Sequence, residues 1–136
     1  MSARAKARRR ALDILFEAEQ RDVSPLSAMR LRREATDIII NEYTATIIEG
    51  VMSELDRIDE ILSSYSKGWT LERMPTVDRT ALRIGAWELL FNDDVPDGVA
   101  VAEAVSLVRE LSTDESPEFV NGLLGRIQQM KPTLLA

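Results

Sequence analysis

Apolar residues recur every three or four positions along most of the chain, the spacing of amphipathic α-helices. Pro25, Gly68, Pro75 and the turn from Pro96 to Gly98 interrupt this pattern. The segment closest to strand alternation, Val99 to Val105, is rich in alanine and continues a helical stripe. The pattern therefore predicts an all-α fold of about seven helices. In the first half they run from about Ala3 to Gln20, from Pro25 past Leu31, and from about Ala35 to Ser66 with a break near Gly50 or Ser53. In the second half, one helix runs from a cap at Thr76 through Leu90, the next follows the turn from Pro96 to Gly98 and ends at about Leu111, and the last runs from about Pro117 to Met130.

The chain has the size and composition of one globular domain. It contains 136 residues, of which 45% are hydrophobic and 29% charged, enough apolar material to fill a core. The breaks between residues 67 and 75 divide the helices into two groups too small to be treated as separate domains. We expect one domain of two small packed helical bundles, with lobes at about 1–67 and 68–136.

Several classes of function are excluded or disfavoured by composition. There is no cysteine and no histidine, which removes disulfides, thiolate or imidazole metal ligands and the usual nucleophile chemistry. The longest run without a charged residue is seven, far below the roughly 18 apolar residues of a membrane span. We expect a cytoplasmic protein with no catalytic residues, no metal and no cofactor.

Charge is distributed unevenly along the sequence. The net charge is -6, but residues 1–33 carry +5 and residues 34–136 carry -11. Arg4 and Arg8 fall on the apolar face of the first helix, where an unpaired arginine cannot enter a core. We therefore expect the first turns to overhang the globule and present Arg4, Arg8 and Arg9 to solvent, with Phe16 bordering the side of Arg9. Such a basic projection on an acidic body can hold a phosphate backbone.

The basic cluster also has a plain structural interpretation. Arg9 and Arg10 lie four and three residues before Asp13, so they can form weak local ion pairs on a solvated helix. Charge alone leaves nucleic-acid contact and this interpretation equally favoured. Arg83 lies in an otherwise apolar stripe and is expected to pair with a carboxylate such as Glu103 or Glu88.

Two short motifs have simpler structural explanations. Gly122 and Gly125 match the GxxG loop of KH domains only as a string, because they lie inside a helical pattern; we expect them to permit close contact between helices. Asp93, Asp94 and Asp97 do not occupy calcium-loop spacing, and we interpret them as turn residues.

Longer segments of the sequence resemble one known family. Residues 95–105, VPDGVAVAEAV, and residues 119–124, FVNGLL, are similar to the signature of the bacterial transcription antitermination factor NusB family. Residues 77–89, VDRTALRIGAWEL, resemble its central helix, and residues 7–16, ARRRALDILF, resemble its arginine-rich first helix. The likeness spans nearly the whole chain.

The resemblance implies a non-enzymatic, all-helical RNA-binding adaptor. It implies binding of the boxA element of nascent ribosomal RNA together with ribosomal protein S10, and action on RNA polymerase. Asp78 matches an acidic position near the S10-facing surface. The RNA contacts that the resemblance implies are Arg4, Lys6, Arg8, Arg9, Arg10, Phe119 and Asn121.

Three departures from the family pattern affect these expectations. Ala102 stands where the family commonly has Asn, Glu118 where Lys often occurs, and Phe16 where Tyr is common. They imply weaker RNA affinity or greater dependence on S10. The resemblance is compatible with a monomer or a homodimer.

Two alternatives stay open at this point. The acidic stretch 34–60, with eight acids and one base, could engage a basic protein partner without any RNA role. The same resemblance extends to RNA-recruiting domains of rRNA methyltransferases, although these 136 residues contain no cofactor domain.

Overall fold

The computed structural model describes residues 2–35 and 40–136, and within these ranges the chain is all-helical. The all-α prediction is confirmed. Seven α-helices and one short 3₁₀ turn, Leu71–Arg73, make up the described part. The helices are α1 (Ala3–Arg21), α2 (Pro25–Ala35), α3 (Glu42–Ser53), α4 (Leu55–Tyr65), α5 (Thr76–Phe91), α6 (Asp97–Leu111) and α7 (Ser116–Leu134).

Local sequence explains where these helices begin and end. The side chain of Ser2 caps α1, and Asp22 ends it in the left-handed conformation at φ 54°. Asn41 caps α3 by accepting a hydrogen bond from the Tyr43 amide. The predicted break near Ser53 is confirmed, with Glu54 between α3 and α4. Pro75, not Thr76 as expected, is the N-cap of α5.

α5 is the central helix of the fold. Eleven of its sixteen residues are buried, and it contacts α1, α3, α4, α6 and α7. One hydrophobic cluster joins buried residues from both halves of the sequence. Either Ile39 or Ile40 was expected on the apolar stripe of this segment; Ile40 belongs to the cluster, and Ile39 lies outside the described residues. The division into lobes at residue 67 stays a prediction.

None of the helices in residues 2–35 and 40–136 combines the length and the apolar character that crossing a bilayer requires.

Close helix contacts occur at glycines other than those expected. A Cβ atom on Gly50 would lie 2.2 Å from the Trp87 indole ring, so α3 meets α5 there with no room for a side chain. Gly85 is similarly enclosed by Leu124 and Ala104. The expectation for α7 was wrong: a Cβ on Gly125 would meet nothing within 4 Å, because this glycine faces open space. A Cβ on Gly122 would meet only the side chain of Arg126, at 3.4 Å on the same helix.

Gly50→Ala is expected to destabilise the protein by about 2 to 3 kcal/mol, since the rigid indole cannot yield to an added methyl group without repacking. Gly125→Ala is the matched control, and it should stabilise by about 0.5 to 1 kcal/mol because alanine is the better helix former. Urea unfolding of both variants measures this. Equal effects at the two positions would contradict the close contact at Gly50.

Candidate nucleic-acid interface

Arg8 is buried in an ion pair at the junction of α1 and α5. Its side chain is 3% exposed, and Nε donates to both carboxylate oxygens of Glu88, at 2.8 and 3.0 Å. Glu88 is itself 1% exposed. A second carboxylate, Glu103 of α6, lies 3.8 Å from the Arg8 guanidinium. The expectation that Arg8 projects into solvent is therefore wrong, because a partner inside the core neutralises it.

The position of Arg8 follows from helical phase. Leu12 and Leu15 follow it by four and seven residues, and both are buried on the same face of α1. The helical spacing of the sequence already placed Arg8 on the apolar face of α1. It did not predict the partner of Arg8, because Glu88 is 80 residues away along the chain.

Arg83, for which Glu88 or Glu103 was expected as partner, pairs elsewhere. It forms two hydrogen bonds with Asp59 of α4, at 2.8 and 2.9 Å. The expected ion pair of Arg83 with a carboxylate is confirmed, but the predicted partner, Glu88 or Glu103, was wrong.

Tyr43 completes the buried network from α3. Its hydroxyl donates to Glu88 and accepts from the side-chain amide of Asn92 at 3.1 Å. Its ring lies under two guanidinium groups, with Arg4 at 4.6 Å and Arg8 at 5.8 Å from the centroid. One aromatic residue thus connects the exposed start of α1 to the buried ion pair.

The network shifts the pKa values of Arg8 and Tyr43. Burial alone would lower the pKa of Arg8, but the hydrogen bond and charge of Glu88 outweigh burial, and the pKa lies above its ordinary value. Burial, followed by the hydrogen bond to Glu88 and its charge, raises the pKa of Tyr43 to about 12. Arg8 therefore stays a cation and Tyr43 a neutral donor at physiological pH.

The remaining cations of the predicted cluster lie toward solvent, and we refer to Arg4, Lys6, Arg9 and Arg10 as the α1 cation group. Arg4 and Lys6 are exposed, and Arg9 and Arg10 are half-buried. Arg9 bridges to Glu110 of α6 at 2.5 Å and lies 3.9 Å from Asp13. The side chains of Lys6 and Arg10 have no hydrogen-bond or ion-pair partner within residues 2–35 and 40–136. These two side chains can take up an external anion without breaking a contact there.

Asp78 is not at the surface, contrary to the expectation that it lies near a partner-facing position. It is fully buried, and Oδ2 accepts a hydrogen bond of 2.9 Å from the hydroxyl of Ser116, the first residue of α7. Its Oδ1 is buried without a hydrogen-bond partner in the described part of the chain. Asp78 joins the starts of α5 and α7, and a partner protein cannot touch it in this conformation.

Phe119 and Asn121 lie on the first turns of α7. Phe119 is half-buried and packs edge-to-face against Trp69, with ring centroids 4.9 Å apart. Asn121 is exposed. Sequence reasoning missed Trp69, because it lies between predicted helices with no periodic pattern around it. Phe119 is therefore packed against the fold on at least one side of its ring.

The structure holds α1 and the start of α7 at two different points of α5. Arg8 is anchored at Glu88, whereas α7 begins against Asp78, ten residues earlier on the same helix. At 1.5 Å per residue these two anchors are about 15 Å apart along α5.

Comparison with known proteins gives a consistent result. A model described as the NusB family matches residues 5–129. The transcription antitermination protein NusB of Arthrobacter sp. (strain FB24) is 69% identical over 136 residues, covering 100% of both chains. The NusB structure from T. maritima has a TM-score of 0.82 and 33% identity, covering 95% of this chain and 92% of that one.

A complex of antitermination factors NusB and NusE with double-stranded RNA contains a chain of the same fold. Its TM-score is 0.79 at 24% identity, covering 94% of this chain and 98% of that one.

Arg8→Met is expected to cost about 3 to 5 kcal/mol of stability, because it leaves the charge of Glu88 buried and unpaired. Arg8→Met combined with Glu88→Leu should cost much less than the sum of the two single changes. Arg9→Met, which breaks the exposed pair with Glu110, should cost at most about 1 kcal/mol. Urea unfolding at neutral pH measures all four variants, and additive costs at Arg8 and Glu88 would show that the pair is not coupled.

Stability is expected to fall between pH 10 and pH 12 through Tyr43. The unfolded chain releases the phenolic proton near the ordinary pKa of about 10, whereas the folded protein holds it to about 12. The contribution of the protonated hydroxyl is therefore complete below pH 10 and lost as pH rises through 12. Tyr43→Phe should make this fall shallower, and Tyr65→Phe should not. Urea unfolding at several pH values across the window checks it, and identical slopes for both variants would count against the bond to Glu88.

Proposed function

The chain belongs to the NusB family of transcription antitermination proteins, and on that premise we propose that it binds RNA through the α1 cation group. The chain is then a non-enzymatic adaptor. Its task is to hold a nascent transcript in a protein assembly, which needs a binding surface and no active site.

One observation carries this proposal. In a chain of net charge -6, Lys6 and Arg10 lie unpaired next to Arg4 at the start of α1, with no ion-pair partner in the described residues. Unpaired cations that lie close together on an acidic protein raise the positive potential at that place and attract a polyanion there. Arg9 contributes once it leaves Glu110, and Arg8 contributes by holding α1 in place.

The proposed RNA is a boxA-type single strand of a ribosomal RNA leader. Phe119 and Asn121, on the first turns of α7, form a second proposed contact. Single-stranded RNA suits contacts on two helices, because its unstacked bases can turn toward aromatic and amide groups. Phe16 is half-buried and lies outside the hydrophobic core, so part of its side chain is accessible to a base.

The proposed protein partners are ribosomal protein S10 and the RNA polymerase antitermination complex. A solved complex of NusB with the protein factor NusE and RNA supports a protein partner of this kind. Because Asp78 is buried, it does not contact a partner directly in this proposal; it contributes by fixing the start of α7. A role on nascent transcripts puts the proposed site of action in the bacterial cytoplasm. A homodimer remains part of the proposal as an alternative form that RNA-free protein adopts.

The direct test is titration of the purified protein with a boxA-type RNA and a scrambled control, at several salt concentrations, with and without S10. If about three to five phosphates are neutralised, log K should fall against log salt with a slope of roughly -2 to -3.5. The triple variant Arg4→Gln, Lys6→Gln, Arg10→Gln should reduce the magnitude of that slope by about 2.

A matched triple variant controls for net charge. Arg30, Arg33 and Arg73 are exposed residues outside the α1 cation group, and changing all three to glutamine removes the same total charge. This control should keep the wild-type slope within about 0.7, the effect of one phosphate. An equal loss in both triple variants would mean that the whole protein charge, and not α1, attracts the RNA.

A further inference from the structure

An open cleft lies between α1 and the start of α3. Its volume is about 350 Å³, within the range of clefts that hold small ligand groups. Lys6, Arg9 and Arg10 line one wall from α1, and Asn41 lies opposite. Asp13 is the one acid that lines it among the described residues. Glu110 pairs with Arg9, and the two remaining cations against Asp13 leave the cleft positive.

The cleft owes its shape to a hydrogen bond between backbone and side chain. The hydroxyl of Thr44, which is fully buried, donates to the carbonyl of Ala7 at 3.0 Å. This bond pins the first turn of α3 against α1, one residue after Lys6. Because Lys6 and Arg10 are four residues apart, they lie on one face of α1, toward that contact. The cations and the start of α3 are thus held at a fixed distance.

The start of α3 offers donors to an anion. The Asn41 side-chain oxygen is used by the Tyr43 amide at 2.8 Å, while its amide nitrogen has no partner in the part of the chain described by the structure. An asparagine amide nitrogen carries two N–H donors. The first amide groups of a helix and its dipole also favour negative charge. Donors and cations therefore face the same space from two helices.

We propose that this cleft, lined by Lys6, Arg9, Arg10 and Asn41, holds one backbone phosphate of the bound RNA. The inference rests on the proposed RNA-binding function, and it adds a defined binding site for one phosphate and a contact residue at the start of α3. Lys6 and Arg10 supply charge, and the Asn41 amide supplies a directed hydrogen bond. Arg9 lines the wall toward Asp13 and Glu110.

Asn41→Asp tests this binding site without removing the helix cap, because Asp, Asn and Ser cap helices about equally well. The new carboxylate would face the phosphate, and we expect RNA affinity to fall about fifty-fold through like-charge repulsion. Asn41→Ser removes only the amide donor and should weaken binding about fivefold. Ser64→Asp, an exposed change on α4 with the same added charge, should leave affinity within about twofold. Thermal unfolding should show that all three variants fold.

A second measurement locates the phosphate on the RNA. A series of boxA-type RNAs, each with one phosphate replaced by an uncharged methylphosphonate, is titrated into wild-type protein and into Lys6→Gln, Arg10→Gln. Neutralising one phosphate, or either of two adjacent ones, should lower the affinity of the wild type about tenfold. The same replacement should change the affinity of the double variant little, because the cations that contact this phosphate are already absent.

The possible results separate this inference from the proposal beneath it. Two results would show that the cleft does not hold a phosphate although the wild type binds RNA. The first is that Asn41→Asp and Ser64→Asp have the same RNA affinity. The second is that every uncharged linkage lowers the affinity of the double variant as much as that of the wild type. If wild type binds boxA-type and scrambled RNA equally poorly, the RNA-binding function itself is overturned.

Discussion

The buried ion pair between Arg8 and Glu88 is the constraint on which the candidate interface depends. Two charges that are 3% and 1% exposed contribute little net stability compared with an apolar pair of the same shape. Their effect is on register. Sliding or rotating α1 on α5 would leave both charges desolvated without partners, which costs several kcal/mol. The pair therefore fixes which residues of α1 face inward and, by helical period, which face outward.

That fixed register converts a run of arginines into two different roles. Arg8 lies in phase with Leu12 and is taken inward, while Arg10 lies about 200° further around the helix and remains outside. The Tyr43 ring extends the buried network outward to Arg4, so one exposed cation is also oriented by the core. Charge density in the sequence is thus a poor guide to charge density on the surface.

The fold was predictable because its information is local. Period and the positions of proline and glycine predicted the break at Ser53 and most helix bounds within four residues. The third helix, however, begins at Glu42 and not near Ala35, and Pro75 rather than Thr76 caps α5. The site was predictable only in part, because its decisive contacts join distant residues. Glu88 and Arg8, Asp78 and Ser116, and Trp69 and Phe119 are 80, 38 and 50 residues apart. Periodicity places each residue on a helix face but does not say which face it meets.

The contrast between Arg8 and Asp78 shows what helical phase can and cannot decide. Both were expected at the surface as contacts for partners, and both are buried, each bound to a group on another helix. Arg8 on an apolar face requires an internal carboxylate, and Glu88, embedded in the buried face of α5, requires an internal cation. Two buried charges of opposite sign satisfy each other once the fold packs their faces together. Asp78 has no such charged counterpart, since Ser116 is a neutral donor at the first position of α7, and only the fold reveals the contact.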